Sequence, residues 1–257
     1  MRPRGLHLVP GCESGDAPKS VAELPSGRVN DVYRIGTSLG DFVLHEPKSA
    51  PLQQALGVDL ARQIALQGIA AEAGLAPQVV AACASSGSLV TRWVPGRTWS
   101  DLDAADSTRL RELCEVLAAL HRLSAPDCVA IFDPITAIKR VMNPLSPLDR
   151  LRLDVACRDY ALVRSAQRGV AIGHGDLQPA NLLQTPRLML LDWEYAQLGD
   201  PLLDLAGLIA CQPGTRVNAP QLLQWSGLHA IADVDELLAL ARVLTSLNEA
   251  WERRARA

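Results

Sequence analysis

Two short runs with alternating apolar positions, residues 32–35 (VYRI) and 42–45 (FVLH), flank a turn at 37–41 that contains Gly40, and together they predict a β-hairpin. The period then lengthens. Across 59–73 the residues Leu60, Ile64, Leu66 or Gln67 and Ala71 recur at helical spacing, and Gly74 supplies a stop. Residues 88–93 (SLVTRW) return to a strand pattern, which Pro95-Gly96 breaks. From 107 to 123, leucines at 110, 113, 117 and 120 share one face with charges opposite, an amphipathic helix with a serine or threonine available as its cap. The remainder reads mostly helical and ends in a helix over 234–256. One exception is LMLLDWEYA (188–196), whose compact apolar run fits a buried strand leading into a loop.

The break after Val94 divides the chain into a small β-rich lobe, 1–94, and a larger, mostly helical one, 95–257, which makes the fold class α+β. At 257 residues and 48% hydrophobic content the chain can bury a sizeable core. A net charge of −3 leaves no overall basic field for a nucleic-acid backbone, and no apolar run approaches the ~20 residues a membrane-spanning helix needs. The start MRPRGLHLVPG is too short in apolar run for a secretory signal. The six cysteines are scattered without a C-x-x-C pair, as expected of buried, reduced thiols in a soluble cytoplasmic protein. No internal repeat is present, and no oligomeric state is written in the pattern.

Chemistry concentrates in GHGDLQPANLLQTPRLMLLDWEYAQLGDPLLDLAGL, residues 173–208. Phosphoryl transfer needs a carboxylate to align an attacking hydroxyl and accept its proton, plus oxygen ligands that hold magnesium against a triphosphate. His174-x-Asp176, then Asn181 five residues on, then Asp192 at the end of an apolar strand, supply those groups in the order of a kinase catalytic loop and its metal-binding aspartate.

HGDLxxxN followed by LLDWEYA resembles the superfamily of aminoglycoside phosphotransferases, choline kinases and thiamine kinases, relatives of protein kinases, over most of the chain. The resemblance implies a protein-kinase-like two-lobed fold with ATP and Mg2+ as cofactors and a small-molecule hydroxyl as acceptor. It assigns Asp176 as catalytic base, Asn181 and Asp192 as magnesium ligands, and His174 as the residue that orients the loop. Asp200 and Asp204, in GDP-x-x-D, are expected to brace that loop, with Asp204 the contact to it. His121, in LAALHRL, is read as a packed histidine rather than a catalyst. Gly175, where protein kinases carry arginine, and Trp193, where they carry phenylalanine, point away from a phosphorylation-switched protein kinase.

The nucleotide side departs from the family pattern. LPSGRVNDVYRI (24–35) has a single glycine, so Gly27, Arg28 and Asn30 stand as candidate phosphate contacts, with Trp93 and Val94 as further nucleotide contacts where the lobes connect. His45 occupies the place of the phosphate-clamping cation, and the acid that would pair with it is replaced by Gln63 in ARQIAL. A histidine and a glutamine can share a hydrogen bond where a lone carboxylate would be unpaired. Lys48 is set aside on strand alternation, leaving Arg28 or Arg62 as substitute cations. LDWEYA, RQIAL and WVPG are most similar to thiamine kinases, which implies thiamine as acceptor, with Trp193, Glu194, Trp225 and Trp251 as the aromatic and acidic groups suited to a flat cation. Choline, ethanolamine, aminoglycosides and amino sugars are the alternative acceptors. A non-catalytic nucleotide-binding pseudokinase is the alternative of a different class.

Overall fold

In the computed structural model the alternation seen at 32–35 and 42–45 runs further in both directions. β1 (Ser20–Glu23), β2 (Asn30–Thr37) and β3 (Gly40–Pro47) are followed by α1 (Ala50–Leu56), α2 (Leu60–Glu72), β4 (Val79–Cys83) and β5 (Ser88–Arg92). The structure describes residues 3–13, 17–25, 27, 29–124, 126–142, 146–164 and 168–256. By its contacts the chain divides into two compact units, Met1–Pro95 and Gly96–Ala257.

The first unit is built on an antiparallel sheet of order β1-β2-β3-β5-β4. The β2–β3 turn is tighter than the sequence suggests. Thr37 pairs with Gly40, and Gly40 sits at φ +122°, which favours glycine. Period-two alternation sends Tyr33, Ile35, Phe42, Leu44 and Val90 to one face, where Leu6, Val9 and Cys12 cover them. That cover begins with a 3-10 turn, Arg4–Leu8, which the apolar pattern did not foretell. His45 has the opposite parity on β3 and joins the side occupied by α1 and α2. The predicted helix over 59–73 is α2, whose first turn is capped by the Asp59 carboxylate accepting from Arg62 N at 3.0 Å.

The second unit contains β6 (Arg97–Thr98), α3 (Asp101–Ala105), α4 (Ser107–Leu120), α5 (Pro134–Val141), α6 (Pro147–Arg164), β7 (Ala171–Gly173), β8 (Leu182–Gln184), β9 (Met189–Leu190), β10 (Gln197–Gly199), α7 (Leu202–Cys211), α8 (Ala219–Ser226) and α9 (Val234–Arg256). The leucines at 110, 113, 117 and 120 are wholly buried on α4. Each contributes about 2 kcal/mol of burial, so packing holds this helix in place. Its cap is Asp106, accepting from Arg109 N, rather than a serine or threonine. Apolar nearly all round, α7 is enclosed, and α9 packs along α5, α6 and α7.

The strand expected within 188–196 is Met189–Leu190, and it leads into a loop as expected: the backbone turns left-handed at Asp192 (φ 59°) and closes into a 3-10 turn, Trp193–Tyr195. The cysteines are unpaired as expected, but only Cys12 and Cys114 are buried, while Cys128 is exposed. Among the described residues no helix is long and apolar enough to cross a membrane.

Candidate active site

Two short antiparallel pairings bring the motif residues together. β8 and β9 form a hairpin with Leu182 opposite Leu190, and its open end continues with Leu191 N donating to the Asn181 carbonyl at 2.8 Å. Asn181 and Asp192, eleven positions apart in the chain, therefore leave the same hairpin end. β7 pairs with β10, Gly173 opposite Gln197, so that His174-Gly175-Asp176 emerges next to the turn that follows Asp192.

Asp204 organises the loop between them. Its wholly buried carboxylate accepts from His174 N and Gly175 N, each at 3.0 Å, and from His121 Nε2 at 3.0 Å. Burial alone raises an aspartate's pKa, but the hydrogen bonds from His121 and Gly175 outweigh it and hold Asp204 below the usual carboxylate range. Asp204 is thus the brace, and the packed His121 seats it from α4. His121 Nδ1 is buried without a partner, so the ring acts here through Nε2 alone.

His174 is bonded at both ring nitrogens. Nε2 donates to the Leu191 carbonyl at 2.8 Å, and Nδ1 accepts from Asp176 N at 3.3 Å. Burial lowers its pKa against the pull of Asp204 and Asp176, and the neutral ring suits both bonds. It links the Asp176 loop to the backbone just before Asp192. Trp193 packs edge-on against it, ring centres 5.0 Å apart.

The Asp176 carboxylate accepts from Gln178 Nε2 and Asn181 Nδ2, both at 2.9 Å. Its pKa is raised, first by desolvation and further by the charge of Asp192. Asp192 itself is pushed up to about 6 by burial, and its Oδ1 is buried with no hydrogen-bond partner. A buried carboxylate oxygen left bare is costly unless a cation or donor meets it. The Asp192 carboxylate and the Asn181 amide oxygen are hard donors of the kind magnesium takes, usually alongside substrate phosphates and water. Consistent with so small a set, no group of three or more His, Cys, Asp and Glu side chains fit to hold a metal occurs among the described residues.

Gly175 sits at φ +79°, and a Cβ there would collide with the Tyr195 carbonyl oxygen. The glycine that stands where protein kinases carry arginine is therefore required by backbone crowding.

The acceptor candidates separate. Trp193 is wholly buried with its indole N–H on the Leu190 carbonyl at 2.8 Å, so it packs behind the loop and has no face for a ligand. Trp225 lies on α8 in an open surface hollow with Arg111 and Glu115 of α4, and no residue of the 174–192 cluster lines that hollow. Trp251 does reach the neighbourhood. From α9 its indole N–H donates to Tyr195 Oη at 2.7 Å, with the rings edge to face. Glu194 is buried beside Tyr195. Tyr195, which the sequence reading passed over, carries a pKa raised first by burial and then by the charges of Glu194, Asp176 and Asp192. Gln178 was also missed, although its position two residues past Asp176 is the available signal.

In the first unit His45 and Gln63 line one small cavity of about 30 Å³ with Asn30, Gln53 and Gly87, room for a water or two. No hydrogen bond joins His45 to Gln63; the polar pairing there is Gln53 to Asn30. Desolvation lowers the His45 pKa to about 4, so at neutral pH it carries no charge. Lys48, set aside on alternation, turns its ammonium back to the Gly27 carbonyl at 2.7 Å and to Asp31 at 3.5 Å, and Arg62 donates to the Gly57 carbonyl. Arg28 lies outside the described residues. The Trp93 ring lies under the Arg34 guanidinium, 4.4 Å from its centre, and Trp93 N donates to the Asp41 carbonyl. The backbone N–H of Val94 meets no acceptor among the described residues.

The same arrangement of elements occurs in solved kinases. Choline kinase LicA from Streptococcus pneumoniae superposes with a TM-score of 0.79, covering 95% of this chain and 88% of that one at 18% identity. A choline/ethanolamine kinase family protein from Mesorhizobium loti gives 0.73 at 24% identity over 96% and 82% of the two chains. A thermostable aminoglycoside phosphotransferase in ternary complex with AMP-PNP and hygromycin B gives 0.66 at 15% identity over 95% and 96%. At these identities the likeness is one of fold. By sequence the chain is 28% identical over 145 residues to the protein LicA of Haemophilus influenzae, 53% of this chain, and the match spans about half of that relative's length, 54%. Residues 20–240 match the model of the phosphotransferase enzyme family, far more than half of the chain, which therefore belongs to that family.

Proposed function

We propose that this protein is a small-molecule kinase that transfers the γ-phosphoryl group of ATP to the hydroxyl of a small cationic alcohol. The observation that carries this reading is the Asp176 carboxylate, held by Asn181 Nδ2 on a loop braced by Asp204, close enough to Asp192 to feel its charge, with Asp192 Oδ1 buried and bare. Asp176 takes the role of base. The acceptor oxygen attacks the terminal phosphorus, its bond to the leaving ADP breaks, and the hydroxyl proton passes to Asp176. Asn181, whose NH2 is engaged by Asp176, and Asp192 would hold Mg2+, which supplies charge neutralisation at the phosphates. His174 stays neutral and keeps the two arms of the site in register. On the nucleotide side Val94 offers a backbone donor, and the loop at Gly27 offers phosphate contacts.

Tyr195 and Trp251 support a cationic acceptor, since a desolvated cation over such faces gains up to about 2 kcal/mol. Thiamine is the first candidate on the motif resemblance. Choline is the second reading, favoured by the solved choline kinase and the choline/ethanolamine kinase family protein that share the fold. ADP release measured with thiamine, choline, an aminoglycoside and an amino sugar tests both. A higher kcat/KM for thiamine than for choline supports the first, and the reverse order moves the assignment to choline. ATP binding without turnover of any acceptor would identify a pseudokinase instead.

A further inference from the structure

Arg168 lies three residues before β7, and its side chain is 1% exposed. Its guanidinium is fully engaged. Nε donates to Asp200 Oδ2 at 2.8 Å, Nη1 to Glu236 Oε1 at 3.1 Å and Nη2 to the Val163 carbonyl at 2.9 Å, while Nη2 also lies 2.7 Å from Asp200 Oδ2 as an ion pair. Burial disfavours its charge, yet Asp200 and Glu236 outweigh that and raise its pKa. One side chain therefore ties together the end of α6, the residue after β10 and the first turn of α9.

The two acidic partners, Asp200 and Glu236, each lie at the start of an element that leads to the candidate active site. β7 runs from just after Arg168 into His174-Gly175-Asp176, and it is held to β10 by only three residue pairs, Gly199 to Ala171 being the pair nearest Asp200. A ladder that short has little stability of its own and depends on what closes its end. Asp200 Oδ1 also accepts from Leu202 N at 2.9 Å, starting α7, and Asp204 follows one turn later with its grip on the His174 and Gly175 amides. α9 begins at the Glu236 contact and delivers Trp251 to Tyr195 at its other end.

We propose that Arg168 is a positioning residue for phosphoryl transfer, acting through Asp200 to set the β7–β10 register and the start of α7, and so the placement of the Asp176 loop by Asp204. The inference rests on the kinase reading above. Without the guanidinium, Asp200 and Glu236 are left as neighbouring carboxylates, 27% and 24% exposed, with no cation between them. Displacements of an ångström in a catalytic loop cost up to about 10²-fold in rate.

The test compares wild type with Arg168→Met, Arg168→Lys and Asp200→Asn, well below each variant's melting temperature, by steady-state kinetics, nucleotide titration and amide hydrogen exchange. Arg168→Met is expected to lower kcat by about 10- to 100-fold, with the KM values and the nucleotide Kd within about twofold, and to speed exchange in residues 172–178 while 110–120 stay protected. Arg168→Lys, which keeps the charge without the fork, should recover part of kcat, and combining Arg168→Met with Asp200→Asn should cost no more than either alone. A lower melting temperature with wild-type kcat and wild-type exchange in 172–178 makes Arg168 a stability residue only and overturns the proposal. If Arg168→Met does not fold, Asp200→Asn, which leaves Arg168 paired with Glu236, decides by the same readouts. Should the wild-type protein phosphorylate no acceptor, the kinase reading fails separately, and exchange in 172–178 alone decides whether Arg168 holds the loop.

Discussion

The polar residues of 174–204 and the polar cavity around His45 are organised in opposite ways. Around Asp204, two backbone amides and His121 converge on one carboxylate, and His174 is bonded at both ring nitrogens. In the first unit His45 and Gln63 share a cavity but no bond, and His45 is kept neutral by desolvation alone. A buried network with its main partners satisfied is rigid and intolerant of change. A cavity with loosely engaged neutral groups can accept substitution. The two regions should therefore respond to mutation on different scales.

The largest effect expected is from Asp176→Asn. On the proposed mechanism it removes the proton acceptor while keeping shape, and should lower kcat by about 10²- to 10⁴-fold with melting temperature little changed. Near-wild-type turnover in the folded variant would remove Asp176 from that role. Next comes Gly175→Ala, which forces an L-residue to positive φ at about 1–2 kcal/mol and drives Cβ into the Tyr195 carbonyl. Turnover should fall about 10²-fold together with a lower melting temperature, and a variant matching wild type in both would show the loop to be less constrained than its hydrogen bonds indicate.

On the first unit the effects are smaller. The folded pKa of His45 lies near 4, below the ordinary 6.5, so the unfolded chain takes up a proton between those values that the folded chain refuses. This contribution to stability is fully present above pH 6.5 and is lost as pH falls toward 4, about 3 kcal/mol in all. Denaturant melts across that window should flatten in His45→Gln relative to wild type, and an unchanged slope would reject the assignment. The smallest effect is expected for His45→Arg, which restores a cation without breaking any bond. It should preserve turnover and tighten nucleotide binding by up to about fivefold, worth ~1 kcal/mol. Loss of nucleotide binding in His45→Arg with retention in His45→Ala would mean that His45 does not occupy the clamping position, and would blur the contrast between the two regions.

Reading the sequence went furthest where side-chain period and chain-local spacing carry the information. The β2–β3 hairpin, α2 and α4 were legible because alternation and helical period are local properties of their own residues. The 3-10 turn at Arg4–Leu8 was not, since its apolar residues acquire meaning only against the sheet face they cover. The tryptophans show the same limit. Trp193, Trp225 and Trp251 look alike as candidates for a cationic acceptor, yet one is core, one lines a separate hollow and one meets Tyr195.

By itself the sequence determined the motif, HGDLxxxN and LDWEYA at their separation, and with it the phosphotransferase family, because spacing along a chain survives without coordinates. It also determined the α+β composition through the change from period two to helical period. Only the tertiary structure decided how the motif is held. Asp204 lies 30 residues from His174 and 83 from His121, Trp251 lies 56 from Tyr195, and Arg168 lies 68 from Glu236. No period or local propensity records such pairings; they exist because folding brings distant segments within hydrogen-bonding distance and excludes the water that would otherwise compete for those groups.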